Sequence, residues 1–312
     1  MRCDLHVHSR HSGPVDIRPF GWLVRESYSE PRAVYGEARR RGMDLVTLTD
    51  HDTIAGALEI ASLPGTFVSE EVTCRLPGGR AVHVGVYDIT EAQHETIARR
   101  REDAEALFAY LAEERIPAAA NHLFAALTGP RETGDFHFAL ARLEMVEARN
   151  GMMSDGVNVR AARAARTARL ATVGGSDAHT LASVARAFTV VPQARSRAEF
   201  LDGLRRGLTL PAGCSGSYAR LTADIVRITA GAYRAAVAEG LGDAAAAARL
   251  ATLLVALPLL PLLPLATAGV FLHEQLFARH HERAWRATRA RRRADTARPG
   301  PFGPAAAPTA AA

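Results

Sequence analysis

The chain has 312 residues, 48% of them hydrophobic, enough for one large domain of about 200–250 residues with an appendage. All 38 basic residues are arginine and the net charge is +5; eight arginines against three acids in residues 273–312 supply all of it, so the balanced main body argues against strong nucleic-acid binding there. Three scattered cysteines, Cys3, Cys74 and Cys214, exclude a thiolate metal cluster, argue against a disulfide framework and fit a reducing compartment.

The first predicted strand, residues 3–8, carries Asp4-Leu5-His6-Val7-His8. Residues i and i+2 of a strand face the same side. His6 and His8 therefore point together and make a metal bite. No apolar leader precedes them, so the domain is expected to stay in the cytoplasm. Residues 14–31 form a long loop with Phe20, Trp22 and Tyr28. It reads either as a packed surface loop or as a lid bringing Arg18 or Arg25 to a phosphate. Strands are predicted over 45–49, 66–69, 81–87, 117–121, 145–148, 171–174 and 188–191. Helices are predicted over 31–41, 53–62, 91–115, 136–143, 158–169, 183–187 and 197–206. This alternation argues for an α/β fold with a parallel sheet, open or closed into a barrel.

Chemistry in such folds gathers at the C-terminal strand ends. The sequence places metal-competent groups there: His6 and His8, Asp50-His51-Asp52, Glu70-Glu71, His122, Glu147, and Ser176-Asp177-Ala178-His179. His83 lies in or near the end of its own strand. Glu147 reads either as an orienter of a ligating histidine or as an ordinary charge, and Arg149 beside it as a phosphate clamp. His94 and His137 lie in helical stretches and are expected to face solvent.

Asp4-Leu5-His6-Val7-His8-Ser9, Leu48-Thr49-Asp50-His51-Asp52, Glu71-Val72-Thr73, His83-Val84 and Gly175-Ser176-Asp177-Ala178-His179 occur in that order. In this the chain resembles the PHP (polymerase and histidinol phosphatase) family of metal-dependent phosphoesterases, over residues 1–212. The resemblance implies a distorted (β/α)7, TIM-like barrel with two or three divalent ions (zinc, manganese or iron) at its C-terminal rim. It implies one site of His6, His8, Glu71 and Asp177, and a second of Glu71, His83 and His122. A third would use His51 and His179 with one further ligand. Many relatives follow the first motif with Ser-Asp-Gly; here Ser12-Gly13-Pro14 stands instead, so either His11 or Asp16 substitutes or the third site is weak. Glu71 is preferred to Glu70 because it precedes the Val-Thr pair. Asp177 and His179 are also the candidates for catalytic proton transfer. The implied substrate is a small phosphorylated molecule or a nucleotide. The competing functions are a nuclease on nucleic-acid ends and a non-catalytic, metal-stabilised scaffold at a membrane.

Beyond residue 212 the composition changes. Residues 213–249 read as an Ala-rich helical linker. Residues 250–272 contain about 22 uncharged residues, long enough to span a bilayer, broken by Pro258, Pro261 and Pro264. Residues 273–312 read as an Arg-rich, then Pro/Ala-rich tail. The apolar stretch reads as a membrane anchor or, alternatively, as a buried helix or Pro-rich strip covering the barrel. A proline-bent re-entrant or interfacial hairpin with both ends cytoplasmic, its basic flank on anionic lipid or, as the second reading, on nucleic acid, reconciles the arginines with the missing leader. The catalytic domain is thus expected to be cytoplasmic and membrane-associated through residues 250–293.

Overall fold

The computed structural model describes residues 1–15, 21–126, 129 and 131–297, with residues 287–297 as backbone only. Strands numbered in chain order form two sheets. The first runs β2 (Leu45–Val46), β1 (Arg2–Asp4), β8 (Ala187–Val190), β9 (Leu210–Gly213). The second runs β3 (Ser69–Arg75), β4 (Ala81–Tyr87), β5 (Ala118–Ala120), β6 (Met145–Asn150), β7 (Ala171–Gly175). Parallel bridges at Val46–Thr66 and His51–Glu71 link the sheets on one side, and Val7–Ala178 links them on the other.

The α/β character agrees with the sequence, but no closed (β/α)7 sheet forms among the described residues. One cause is local. Pro77-Gly78-Gly79, with Gly79 at φ +76°, turns β3 straight into β4, because Pro and Gly favour a tight turn there. A hairpin replaces the helix that a parallel crossover needs. β4 then pairs antiparallel with β5, and only β5, β6 and β7 run parallel.

The period of two along β3 and β4 positions the site. Val72, Cys74, Val82, Val84 and Val86 are buried in one hydrophobic cluster with helical residues such as Ile97, Leu107 and Phe108. The alternate residues Glu71 and His83 therefore face the other way. Helices α1 (Pro31–Arg40), α2 (Ala55–Ile60), α3 (Glu91–Arg100), α4 (Ala104–Glu113), α5 (Thr133–Arg142), α6 (Asp155–Ala168) and α7 (Arg197–Arg205) flank the sheets. The single helix predicted over 91–115 is two, because the Asp103 side chain caps α4 by accepting from the Glu105 and Ala106 amides. The helix predicted over 183–187 is absent: Thr180 and Ser183 donate to the buried Asp224 carboxylate at 2.7 and 2.5 Å, and the segment turns directly into β8.

The Ala-rich region is helix, as its composition predicts, but not a free linker. α8 (Tyr218–Glu239) and α9 (Ala244–Ala256) are separated by Gly240-Leu241-Gly242. Ala232, Ala236 and Leu253 form a small core with Val24 and Tyr28 of the 21–30 segment. Pro258 and Pro261 fall in a 3-10 turn, Leu257–Leu262, and Pro264 falls in the first turn of α10 (Leu263–Ala297), where a missing amide loses no helical bond. α10 then returns along α8, α5 and α6. Its Glu274, Ala278, Glu282 and Trp285 are buried, in contrast to the tail expected from residue 273. Glu274 accepts from the Ala126 amide at 2.7 Å, and Glu282 pairs with Arg160 at 3.0 Å.

Candidate metal centre

The loops after β1, β2, β5 and β7, together with β3, β4 and β6, bring histidines and carboxylates to one buried point, with Glu71 in the middle. Its Oε2 lies 3.1 Å from His6 Nε2, 3.4 Å from His8 Nε2 and 3.3 Å from His51 Nδ1. Its Oε1 lies 3.1 Å from His122 Nε2 and 3.4 Å from His83 Nδ1, and accepts from Asn121 Nδ2 at 2.9 Å. Asp177 Oδ1 is 3.4 Å from both His6 Nε2 and His8 Nε2. Glu70, one residue earlier, faces the opposite way and meets His94 Nδ1 at 2.9 Å.

Three histidines have Nδ1 engaged by an acceptor, which leaves Nε2 as the nitrogen that faces the cluster. The Glu147 carboxylate, 2.9 Å from His6 Nδ1, can only accept, so Nδ1 carries the proton. Ser12 Oγ donates to Asp50 at 2.9 Å and must therefore accept from His8 Nδ1, also at 2.9 Å. The Asp177 carbonyl accepts from His179 Nδ1 at 2.9 Å. Such outer partners are what orient metal-binding imidazoles. Other groups brace the frame. Asp4 accepts from the Ser176 and Ala185 amides at 2.8 and 2.7 Å, tying β1 to the loop after β7. A Cβ on Gly175 would lie 2.2 Å from that of His6, so only glycine permits this approach. Asp177 (φ 53°) and His122 (φ 26°) adopt positive φ without being glycine, a strain that persists where surrounding contacts over-determine it.

The spacing tests whether a cation fits. His6 Nε2, His8 Nε2, Glu71 Oε2 and His83 Nδ1 are buried and make no hydrogen bond, although partners stand 3.1–3.4 Å away. Leaving such atoms unsatisfied is costly. Two ligands each about 2.1 Å from one ion lie roughly 3.0–3.4 Å apart at octahedral or tetrahedral angles. Four groups have ligand atoms within 4.8 Å of one another: His6, His8 and Asp177; His6, Glu71 and His122; His51, Glu71 and His83; and His8, Glu26, His51 and His179. The donor set fits divalent cations.

Electrostatics follow from the same geometry. Burial disfavours the Glu71 and Asp177 carboxylates, yet the surrounding histidines more than offset it and hold both well below the usual range. Burial would lower His6, but Asp177, Glu71 and Glu147 raise it well above an ordinary imidazole. Burial, with neighbouring His8, pushes His179 down to about 4. His51 is likewise held low by burial, with Glu71 only partly opposing.

Other expected residues lie elsewhere. His11 Nε2 is 2.7 Å from Glu59 rather than in the histidine cluster. Asp16 and Arg18 fall outside the described residues. Arg149 follows a register shift in β6 and binds Ser215 at 2.7 Å and Asp155 at 3.3 Å, neither a cluster residue. His94 is largely covered by its contact with Glu70 instead of facing solvent. The residue the sequence reading missed is Glu26, whose Oε2 lies 3.2 Å from His51 Nε2. Nothing in Arg25-Glu26-Ser27 marks it; only the folding of the 21–30 segment against α8 brings it in.

A family profile described as PHP-associated matches residues 156–209. An uncharacterized protein of Methanocaldococcus jannaschii is 38% identical over 74 residues, 23% of this chain and 41% of that protein, so the match spans less than half of the relative. PsfC of Pseudomonas syringae shares the fold at TM-score 0.50 and 17% identity, over 73% of this chain and 98% of that one. An amidohydrolase of Chromobacterium violaceum, crystallised with sulfate and no metal, aligns at TM-score 0.44 and 17% identity, over 67% of this chain and 98% of that one. The PHP-associated profile lies inside the region that carries the ordered His and carboxylate motifs and supports their resemblance to the PHP family.

Proposed function

We propose that this protein is a metal-dependent phosphoesterase that hydrolyses a small phosphate ester. The observation that carries the reading is the Glu71 carboxylate. Both oxygens are buried and flanked by histidine nitrogens at 3.1–3.4 Å, as a carboxylate shared between two cations requires. In this proposal His6, His8, Glu71 and Asp177 hold one ion, and Glu71, His83 and His122 a second. His51, His179 and Glu26 hold a third, Glu26 filling the role expected of His11 or Asp16. Bound there, divalent ions would supply water activation and charge neutralisation at a phosphoryl group. The chain's own part is to turn the Nε2 atoms of His6, His8 and His179 toward the cluster and to exclude bulk water. His179, neutral at physiological pH, offers Nε2 to a cation without first losing a proton.

The charge-balanced main body favours a small substrate over a nucleic acid. The helical extension supports attachment to a membrane surface. An 18-residue window of mean hydropathy 2.1 within Ala244–Arg286 is only 11% buried. Because α10 returns onto α5 and α6, we propose that residues 250–293 lie along the bilayer, on the cytoplasmic side, rather than crossing it. Metal-replete full-length protein should contain at least two divalent ions per chain by elemental analysis. It should hydrolyse p-nitrophenyl phosphate or a nucleoside monophosphate with manganese or zinc. Fewer than two ions, or no turnover across a broad substrate and metal panel, overturns the proposal.

A further inference from the structure

Two openings meet the histidine cluster, and they differ in chemistry. The larger, about 370 Å³, passes His51 and His83 and is polar. Its arginines are already neutralised, Arg75 by Glu102 at 2.8 Å and Arg101 by Asp52. The smaller, about 90 Å³, starts at Asp177 and His179 and is walled by Met152, Met153, Leu221, Val270 and Phe271. Ser154 and Glu274 also border it, Glu274 with its carboxylate bonded to the Ala126 amide. Val270 and Phe271 belong to α10, the helix that turns Leu265, Leu272 and Leu276 outward to solvent. One helix thus supplies both a wall beside the metal ligands and an exposed apolar face.

From this juxtaposition we propose that the substrate is an alkyl phosphate ester. Its phosphoryl group sits at Asp177 and His179, and the hydrocarbon of its alcohol enters the cavity between α10, α8 and the loop after β6. The proposal rests on the phosphoesterase reading and adds the class of leaving group. At ~30 Å³ per small group, the cavity takes about three methylenes. A longer chain then emerges toward the outward leucines of α10. A carbohydrate or nucleoside carries more hydroxyls than Ser154 and Glu274, the polar residues beside this wall, can pair, which costs binding.

The test is binding of non-hydrolysable alkylphosphonates to the metal-loaded full-length protein by calorimetry, from methyl to hexyl. Transfer of each methylene from water to an apolar wall predicts an affinity gain of about three- to fourfold. Val270→Trp, which fills the cavity, should flatten the series while methylphosphonate still binds. Leu221→Trp serves if that variant does not fold. A gain that stops at propyl identifies a short soluble ester. A gain that continues to hexyl identifies a lipid phosphate. Equal affinity for methyl- and propylphosphonate overturns the inference and leaves the phosphoesterase reading standing. No binding even of methylphosphonate removes both.

Discussion

The metal centre and the C-terminal helices invert the ordinary distribution of polarity in opposite senses. At the centre, charged and polar groups are buried with lone pairs left over: Glu71 and His8 have essentially no exposure, yet Glu71 Oε2 and His8 Nε2 make no hydrogen bond. In α9, α10 and the turn between them, large aliphatic groups face water, Val255 at 79% and Leu265 at 73% exposure. Scattered exposed apolar residues are common, but a contiguous row of them marks an interaction surface. Each region is costly alone, and each cost fits a different proposed partner, cations for the first and a bilayer surface for the second. The 21–30 segment touches both, through Glu26 at His51 and through Tyr28 at Gly231 of α8. Support for the site and support for the helices are therefore mechanically joined.

If cations complete the first region, Glu71→Gln should reduce turnover by about a thousandfold or more, the size expected when a buried electrostatic catalyst is removed. It should also lower metal content, and a variant retaining full metal and rate would break the comparison. Glu147→Gln weakens the orientation of His6 and disturbs the His122 amide and Asn150 that also donate to this carboxylate, so metal affinity should fall about 10–100-fold in a titration against a competing chelator. An unchanged affinity would make Glu147 merely structural. Glu26→Gln should remove one equivalent of metal and leave the others, read by elemental analysis; retention of every equivalent would exclude Glu26 as a ligand.

Acidity probes the same region. Asp177, Glu71 and Glu147 outweigh burial and raise the His6 pKa, so the metal-free protein holds a proton that a cation must displace. Metal affinity should therefore rise with pH until the folded pKa of His6 is passed, by about tenfold per unit for each proton displaced. Calorimetry in buffers of different ionisation enthalpy would show the released proton, and a pH-independent affinity would contradict this account. The smallest effect belongs to the second region. Val255→Ser with Leu265→Ser should change folding stability by no more than about 0.5 kcal/mol, yet reduce sedimentation with anionic vesicles. Unchanged sedimentation would mean that another surface makes the contact.

Much of the site was legible because strand periodicity is a local rule. Glu71 and His83 oppose Val72 and Val84, His6 and His8 converge on either side of the Val7–Ala178 bridge although β1 ends at Asp4, and Asp177 and His179 follow a Gly-Gly strand end that admits the close approach of His6. Helix boundaries were less legible: the cap at Asp103 was overlooked, and the turn before β8 depends on Asp224, 41 residues beyond Ser183. The sequence by itself determined the α/β alternation, the ordered donor set and the apolar stretch, since each follows from residue type at short spacing. Only the tertiary structure decided that the sheet divides at the β3–β4 hairpin and that α10 folds back onto the domain. It also brought Glu26 rather than His11 to His51 and placed an apolar wall beside Asp177. Those outcomes depend on contacts between distant segments, whose burial and chain-closure energies no local pattern encodes.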